Sequence, residues 1–224
     1  MYYTEYQHIS LLDRPTHSLL CCLDDLLLDT NNRIKLLPAA TYQASARQEL
    51  RIWMYHRNRY CIPTVELVDW LKAKIDGRSA IEIGAGNDDL AYYLGIRAIS
   101  NQRTMSASSY ITVLFPGQIP TRVITSSVHH MDVTQAIYEL RPEVAIGAWI
   151  PDKFTDNYRG TLNYAPNDYQ IIQNADYIHI GTEKIHGKCR ILGFPHEAFK
   201  PQGLVSRTSE SPPDDVIHVW KKLT

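Results

Sequence analysis

The spacing of apolar residues along the chain changes at about residue 77. Before that point they recur every three or four positions, a spacing typical of helices with one buried face. One predicted helix covers residues 45–60, with Leu50, Trp53 and Met54 on one face, and a second covers residues 64–75. A shorter helix is predicted over residues 19–28. The first part of the sequence is therefore predicted to be helical.

After residue 77, short apolar runs alternate with amphipathic segments. Strands are predicted at "AIEIG", "IRAIS", "SVHHMD", "EVAIGAWI", "YIHIG", "RILGF" and "VIHVWK", and helices at "DDLAYYLG", "VTQAIYEL" and "PNDYQIIQNA". Alternating strands and helices are joined by crossovers, which give a mostly parallel sheet with helices on both faces. The predicted fold class is α/β, doubly wound, with a helical N-terminal extension over residues 1–62 and an α/β domain over 63–224.

The composition narrows the classes of partner. The 224 residues carry a net charge of −1, which gives no overall field to attract DNA, RNA or an anionic membrane. The apolar stretch "SLLCCLDDLLLD" contains Asp24 and Asp25 and is shorter than the roughly 20 residues of a membrane span. No secretory signal pattern opens the sequence and no C-x-x-C pair occurs. Reduced thiols and a cytoplasmic location are therefore expected.

A pair of glycines follows the first strand of the alternating region. Gly84, Ala85 and Gly86 join "AIEIG" to the next predicted helix, and backbone without Cβ atoms lets a ligand approach closely. In an open α/β sheet, ligands bind beyond the carboxyl ends of the strands, where this bend is expected to lie. The absence of Gly-Lys-Ser/Thr excludes a P-loop, and Asp89 breaks the G-x-G-x-x-G pattern of a dinucleotide fold.

An acidic residue, Glu82, lies two positions before the first glycine of this bend. The stretch resembles motif I of the class I S-adenosylmethionine-dependent methyltransferases, and the resemblance covers residues 64–182. It implies a Rossmann-like, methyltransferase-type domain with S-adenosylmethionine as cofactor. It also implies that the acid after a later strand, here Asp132, lies near the adenine, and that residues 149–152 line the reaction site. The residues that the resemblance assigns to the cofactor are Glu82, Gly84, Ala85, Gly86, Ser100, Asp132 and Trp149.

Two positions depart from the pattern of that family. Asp88 stands where the family usually has a third glycine or small residue, and Ser100 and Asn101 stand where an acid usually holds the ribose hydroxyls. Neutral hydrogen bonds to the ribose would be about half as strong as charge-assisted ones. The carboxylates of Asp88 and Asp89 are expected to cap the following helix. Such charges tolerate a cationic sulfonium better than a phosphate.

Three residues are candidates for catalysis. Asp152 follows the predicted fourth strand, and "GTEKIHGK" places Glu183 and His186 at the same carboxyl edge as the bend. Glu183 and His186 would act as a general base and its orienting partner. A polar turn whose side chains bond the backbone has the same pattern, so both interpretations stay open.

Metal and nucleic-acid sites are not predicted. His129 and His130 are neighbours in a strand and face opposite sides, and His186 with Cys189 supplies two ligands where zinc sites use three or four. The helix over residues 45–60 has a basic side that could contact the phosphates of a nucleic acid or an acidic partner. Glu49 interrupts this side, and a solvated helix face explains it as well.

Three functions are compatible with these patterns. The first is a methyltransferase that binds S-adenosylmethionine, with an acceptor that the sequence does not identify. The second is a catalytically degenerate relative that binds or assembles with other chains, including copies of itself, through its N-terminal helices. The third is an enzyme that cleaves S-adenosylmethionine and needs no acceptor. The irregular stretch over residues 101–125 is expected to face the substrate.

Overall fold

The computed structural model describes residues 17–43, 47–57, 59–100, 128–150, 167–200, 203–207 and 214–223. The strands within these residues are β1 (Cys61–Ile62), β2 (Ala80–Ile83), β3 (Arg97–Ser100), β4 (Val128–His130), β5 (Val144–Ala148), β6 (Asp176–Thr182), β7 (Glu197–Phe199), β8 (Val205–Ser206) and β9 (Asp215–Trp220). The helices are α1 (His17–Leu27), α2 (Ala39–Gln43), α3 (Arg47–His56), α4 (Val65–Ile75), α5 (Asp89–Leu94), α6 (Val133–Leu140), α7 (Asp168–Asn174) and α8 (Glu183–His186).

Seven of these strands form one sheet in the order β4-β3-β2-β5-β6-β9-β7. The strands from β4 to β6 are parallel, and β2 pairs with β3 on one side and β5 on the other. The strand order therefore reverses at β2, the switch point where open α/β sheets form a crevice. Helices α4 and α5 pack on one face, and α6 and α7 on the other. The predicted α/β, doubly wound, mostly parallel sheet is confirmed, and it is consistent with a Rossmann-like methyltransferase fold.

The far side of the sheet departs from the sequence prediction. The strand at "VIHVWK" is present as β9, and it runs antiparallel between β6 and β7. The strand predicted at "RILGF" is wrong, because Arg190–Gly193 forms a 3-10 turn. This turn buries Ile191, whose carbonyl accepts a hydrogen bond from Trp220 Nε1 at 3.1 Å. A compact turn thus buries the apolar residues that their pattern had assigned to a strand.

Helix α4 has the ends that its sequence predicts. Thr64 accepts a hydrogen bond from the Leu67 amide at 3.1 Å, and Asp76 ends the helix in a left-handed conformation. The Thr64 hydroxyl also donates to the Gly203 carbonyl at 2.7 Å. The apolar stripe of the helix is buried against the sheet and consists of Leu67, Val68, Leu71 and Ile75.

The N-terminal segment has an apolar cluster of its own beside the sheet. Its fully buried side chains are Leu27, Ile34, Tyr42, Trp53, Met54 and Ile62. Val205 of β8 joins this cluster, and β1 pairs antiparallel with β8. The division of the chain at residue 62 remains a prediction, since side chains from both parts pack together. Among the described helices, none is long and apolar enough to cross a membrane.

Candidate functional site

The glycine bend, residues 84–86, lies at the carboxyl end of β2, where the strand order reverses. Gly84 has a φ of +63°, a left-handed conformation that favours glycine. The Ala85 amide donates to the Ile99 carbonyl at 3.0 Å, which holds the bend against β3. Gly84 and Gly86 are exposed, whereas Ala85 is buried. The bend therefore presents bare backbone to solvent at the edge of the sheet where ligands bind in such folds.

The two glycines of the bend have different surroundings. A Cβ added at Gly86 would have no neighbour within 4 Å. A Cβ added at Gly84 would lie 3.0 Å from Cδ1 of Ile150, and one added at Gly147 in β5 would lie 2.7 Å from the same atom. Gly84 and Gly147 therefore make room for the Ile150 side chain, which was predicted to line the site. The open side of the bend is at Gly86.

Glu82, two positions before the bend, is buried and stabilises the bend through a backbone contact. Its side chain accepts a hydrogen bond from the Ala91 amide at 2.8 Å, so it joins β2 to the first turn of α5. Burial raises the pKa of Glu82 to about 8, and the nearby charges of Asp88 and Asp89 act in the same direction. Glu82 therefore holds a proton at neutral pH and acts on the bend through α5. A direct role of Glu82 in holding the cofactor remains a prediction.

Asp88 and Asp89 are paired with arginines of the N-terminal segment. Arg33 donates to both oxygens of Asp88, at 3.0 and 3.2 Å. Arg59 forms an ion pair with Asp89, which also accepts a hydrogen bond from the Ile34 amide at 3.4 Å. Glu82, Asp88, Asp89, Arg33 and Arg59 are here called the bend cluster.

Asp88 has a backbone conformation that favours glycine, at the position where the methyltransferases that motif I resembles usually have a third glycine or small residue. Its φ is +54°, a region that glycine adopts without strain and that aspartate tolerates at some cost. The prediction that the Asp88 carboxylate caps α5 is wrong, because the side chain makes no capping hydrogen bond and turns to Arg33 instead. The nearly complete burial of this carboxylate, 2% exposed, favours an arginine partner over a backbone amide.

Ser100 and Asp132 lie at the carboxyl ends of β3 and β4, on the same edge as the bend. Ser100 is buried, and its carbonyl accepts a hydrogen bond from the Met131 amide at 3.2 Å. Asp132 is exposed and caps α6, with Oδ1 accepting from the Thr134 amide at 2.8 Å. Both side chains are on the predicted side of the sheet, and their contacts with a cofactor remain predictions. Asn101 and the stretch over residues 101–125 lie outside the described residues.

Trp149 follows β5 with a left-handed backbone, φ +54°. A bulky side chain rarely adopts this conformation, and such outliers are concentrated at functional sites. The Trp149 amide donates to the Ile180 carbonyl at 2.8 Å, and the indole packs among the side chains between the sheet and helices α4 and α5. The turn thereby directs the next residue, Ile150, over Gly84. Asp152 and Pro151 lie outside the described residues.

Glu183 and His186 both belong to α8, but their side chains have separate partners. Glu183 is exposed and forms an ion pair with Lys200 at 3.4 Å. His186 is buried, and its Nδ1 accepts a hydrogen bond from the Thr182 amide at 3.1 Å. The same Nδ1 lies 3.3 Å from the Thr182 carbonyl oxygen, so the backbone of one residue holds this edge of the ring in place.

Four histidines, here called the histidine row, lie in α8 (His186), β6 (His179), β9 (His218) and the residues before β7 (His196). His186 packs against His179 with ring centroids 4.7 Å apart, and His218 packs against His196 at 5.0 Å. His179 and His218 are paired in register between β6 and β9. Burial holds the pKa of His179 well below its ordinary value and also lowers that of His218. In the part of the chain that the structure describes, no three histidine, cysteine or acidic side chains are grouped to hold a metal.

Comparisons with known proteins give distant structural similarities only. No family model and no curated protein matches the chain. The crystal structure of Thermoplasma acidophilum 1320 is 14% identical, with a TM-score of 0.36, over 70% of this chain and 85% of that one. Magnesium protoporphyrin IX methyltransferase (ChlM) from Synechocystis PCC 6803, solved with bound S-adenosylmethionine, is 12% identical, with a TM-score of 0.37, over 93% of this chain and 99% of that one. Similarity at this level assigns no function.

Proposed function

We propose that this protein binds S-adenosylmethionine at the glycine bend and transfers the methyl group to an acceptor substrate. The supporting observation is the position and exposure of the bend. Bare backbone at Gly84 and Gly86 lies at the switch point of a doubly wound sheet, and open space adjoins Gly86. A ligand that packs against peptide backbone fits at that point, because a side chain there would fill the space.

The surrounding residues would hold such a cofactor in stated ways. Gly86 would give access to the backbone, while Ser100 and Asp132 lie on the same edge as candidates for its ribose and adenine. When bound, the cofactor supplies an electrophilic methyl group on a sulfonium centre. The bend cluster contains paired charges and a protonated Glu82, so it offers no excess positive charge to repel a cation.

Removal of a proton from the acceptor, where it is needed, falls to one of the predicted catalytic residues. His186 is the less accessible candidate, because it is buried and its Nδ1 contacts the backbone of Thr182. Glu183 is exposed and ionisable at the carboxyl edge. Glu183 and Asp152 are therefore the preferred candidates for the general base.

Calorimetry with S-adenosylmethionine and with S-adenosylhomocysteine tests the binding step. We expect both ligands to bind, and binding of neither at millimolar concentration would end the proposal. The Gly86→Trp variant should abolish the heat by filling the open side of the bend. The matched control is Gly193→Trp, which alters a glycine with the same open surroundings on the 3-10 turn. Unchanged affinity in Gly86→Trp would remove the bend from the site.

A second candidate, a binding or assembly protein that has lost catalysis, is favoured by a specific contact. Ile150 occupies the space over Gly84, and its carbonyl accepts a hydrogen bond from His179 Nε2 at 3.4 Å. A cofactor that needs the Gly84 side of the bend would have to displace this side chain. Product analysis separates the possibilities, since transfer consumes an acceptor, cleavage gives product without one, and the assembly protein gives no product.

A further inference from the structure

We propose that Arg33 is a positioning residue for the cofactor site, an inference that rests on the proposed function. Arg33 belongs to the N-terminal segment, and Asp88 lies two residues after the open glycine of the bend. The guanidinium meets the carboxylate in a two-point contact, at 3.0 and 3.2 Å. The N-terminal segment thereby becomes part of the site in the sheet.

Arg33 is itself held in place by the turn that carries it. The side chain of Asp29 accepts hydrogen bonds from the amides of Asn31 at 2.8 Å and Arg33 at 2.9 Å. The Asp29 amide donates to the Arg33 carbonyl at 2.8 Å, which closes the turn. The guanidinium also lies over the ring of Tyr92, 4.1 Å from its centroid. The backbone of Arg33 is thus fixed by Asp29 and its guanidinium by Tyr92, so Arg33 has a defined position from which to hold Asp88.

Asp88 depends on this partner because of its burial and its backbone conformation. Its carboxylate is 2% exposed and adjoins two more acids, Glu82 and Asp89. Without the two-point contact, Asp88 keeps only the weaker attraction of Arg59, which favours movement of the carboxylate toward water or its protonation. The φ of +54° at residue 88 is a strained value for aspartate, so a carboxylate released from Arg33 would no longer hold the backbone in that conformation. The bend at Gly86 would then lose the shape that a ligand requires.

Glycine at position 88 needs neither the counter-charge nor the strained conformation. The Asp88→Gly variant should therefore keep the bend without help from Arg33, and the two substitutions should be strongly coupled. A residue that only stabilised the whole fold would not show this rescue. A double-mutant cycle on cofactor affinity distinguishes the two roles.

The experiment is calorimetric titration of S-adenosylmethionine into the full chain and three variants: Arg33→Met, Asp88→Gly and the double variant. We expect Arg33→Met to weaken affinity about tenfold, a coupling of ordinary size for residues in contact. Asp88→Gly and the double variant should both bind within about threefold of the wild type. Circular dichroism checks that each variant is folded. If Arg33→Met does not fold, the comparison of the double variant with Asp88→Gly still measures the effect of Arg33 where its partner is absent.

The matched control is Arg78→Met, which breaks an arginine–aspartate pair with Asp176 at the amino edge of the sheet. It should leave affinity unchanged. Wild-type affinity in Arg33→Met would overturn the positioning role and leave the proposed function intact. Tighter binding in Arg33→Met would also overturn the positioning role, because it would mean that the released Asp88 carboxylate attracts the cationic ligand. If the double variant bound S-adenosylmethionine more than about threefold more weakly than Asp88→Gly, the positioning role would also be overturned. Failure of the wild type to bind would instead remove the proposed function, and this inference with it.

Discussion

The bend cluster and the histidine row both bury ionisable side chains against the same sheet, but they keep them in different states. In the bend cluster, Asp88 and Asp89 are paired with arginines that come from another part of the chain, and burial raises the pKa of Asp89 to about 6. In the histidine row, His179 and His218 have lowered pKa values and stay neutral. Burial can therefore be tolerated by pairing or by neutrality, and each solution has its own dependence on mutation, pH and salt.

Ile150 connects the two regions physically. Its side chain packs over Gly84 in the bend, and its carbonyl accepts a hydrogen bond from His179. A substitution that moves Ile150 is therefore expected to alter both the glycine bend and the histidine row. Substitutions that act on one region leave the other as an internal reference.

The largest effect is expected from removal of a buried counter-charge. Arg59→Met leaves Asp89 buried without its ion-pair partner, which should lower the free energy of unfolding by about 3–5 kcal/mol in urea at pH 7. The control is Arg78→Met, which should cost about 1–2 kcal/mol, because Asp176 keeps Lys221 as a second partner. Equal losses in the two variants would show that the bend cluster is not a special case.

A smaller effect, with a sign that depends on pH, is expected at Glu82. Its pKa is about 8 in the folded chain against an ordinary value of 4.5, so folding takes up a proton between these values. The stability of the wild type should therefore fall as pH rises from 4.5 through 8. Glu82→Gln keeps an acceptor for the Ala91 amide and stays neutral. It should exceed the wild type in stability most clearly at pH 8.5, and urea curves that stay parallel from pH 5 to 8.5 would contradict the assignment.

The histidine row should respond to pH in the opposite direction. The pKa of His218 is lowered by burial and by the neighbouring His196, with Glu183 acting against the shift. The unfolded chain then binds more protons below about pH 6.5, so stability should fall as pH drops below that value. Both ring nitrogens of His218 are buried without a hydrogen-bond partner. Because the cost of burying them unpaired is present at every pH, His218→Phe should be more stable than the wild type at both pH 5.5 and pH 8, with the larger gain at pH 5.5, as measured by thermal unfolding.

The smallest effect is expected from salt. Buried pairs are screened less than exposed ones, so the cost of Arg59→Met should change little between 0.1 and 1 M NaCl. The cost of Arg78→Met should shrink, since the Arg78 side chain is 31% exposed. Unfolding in urea at both salt concentrations makes the comparison. If salt reduced the cost of both substitutions equally, the bend cluster would be in contact with bulk solvent.

The sheet and the bend could be predicted from local patterns, because their signals are local. Continuous apolar runs such as "VAIGAWI" are typical of strands buried on both faces, and β5 is such a strand. The glycine pair is likewise visible in a few residues. The run at "RILGF" misled because a short apolar segment is equally compatible with a buried turn, and the partner of Ile191 is Trp220, far along the chain.

The bend cluster could not be predicted, since its partners are distant in sequence. Arg33 and Asp88 are separated by 55 positions. The sequence "DTNNR" is typical of a turn, but nothing local shows that its arginine reaches the first acid after the bend. Spacing also suggested that Glu183 and His186 act as a pair, whereas the fold gives each a different neighbour, Lys200 and the Thr182 backbone. The histidine row was only weakly visible in the sequence, as one histidine in each of the apolar strands "YIHIG" and "VIHVWK".

The insertion of β9 between β6 and β7 has a consequence for the order of folding. A ribosome delivers β9 after both of its neighbours, at about 5–20 residues per second. Until β9 arrives, β6 has an open edge, although all of its residues are buried in the finished sheet. Such an edge invites pairing with other chains. Newly made molecules therefore pass through an interval of several seconds in which they depend on dilution or on a chaperone to avoid aggregation.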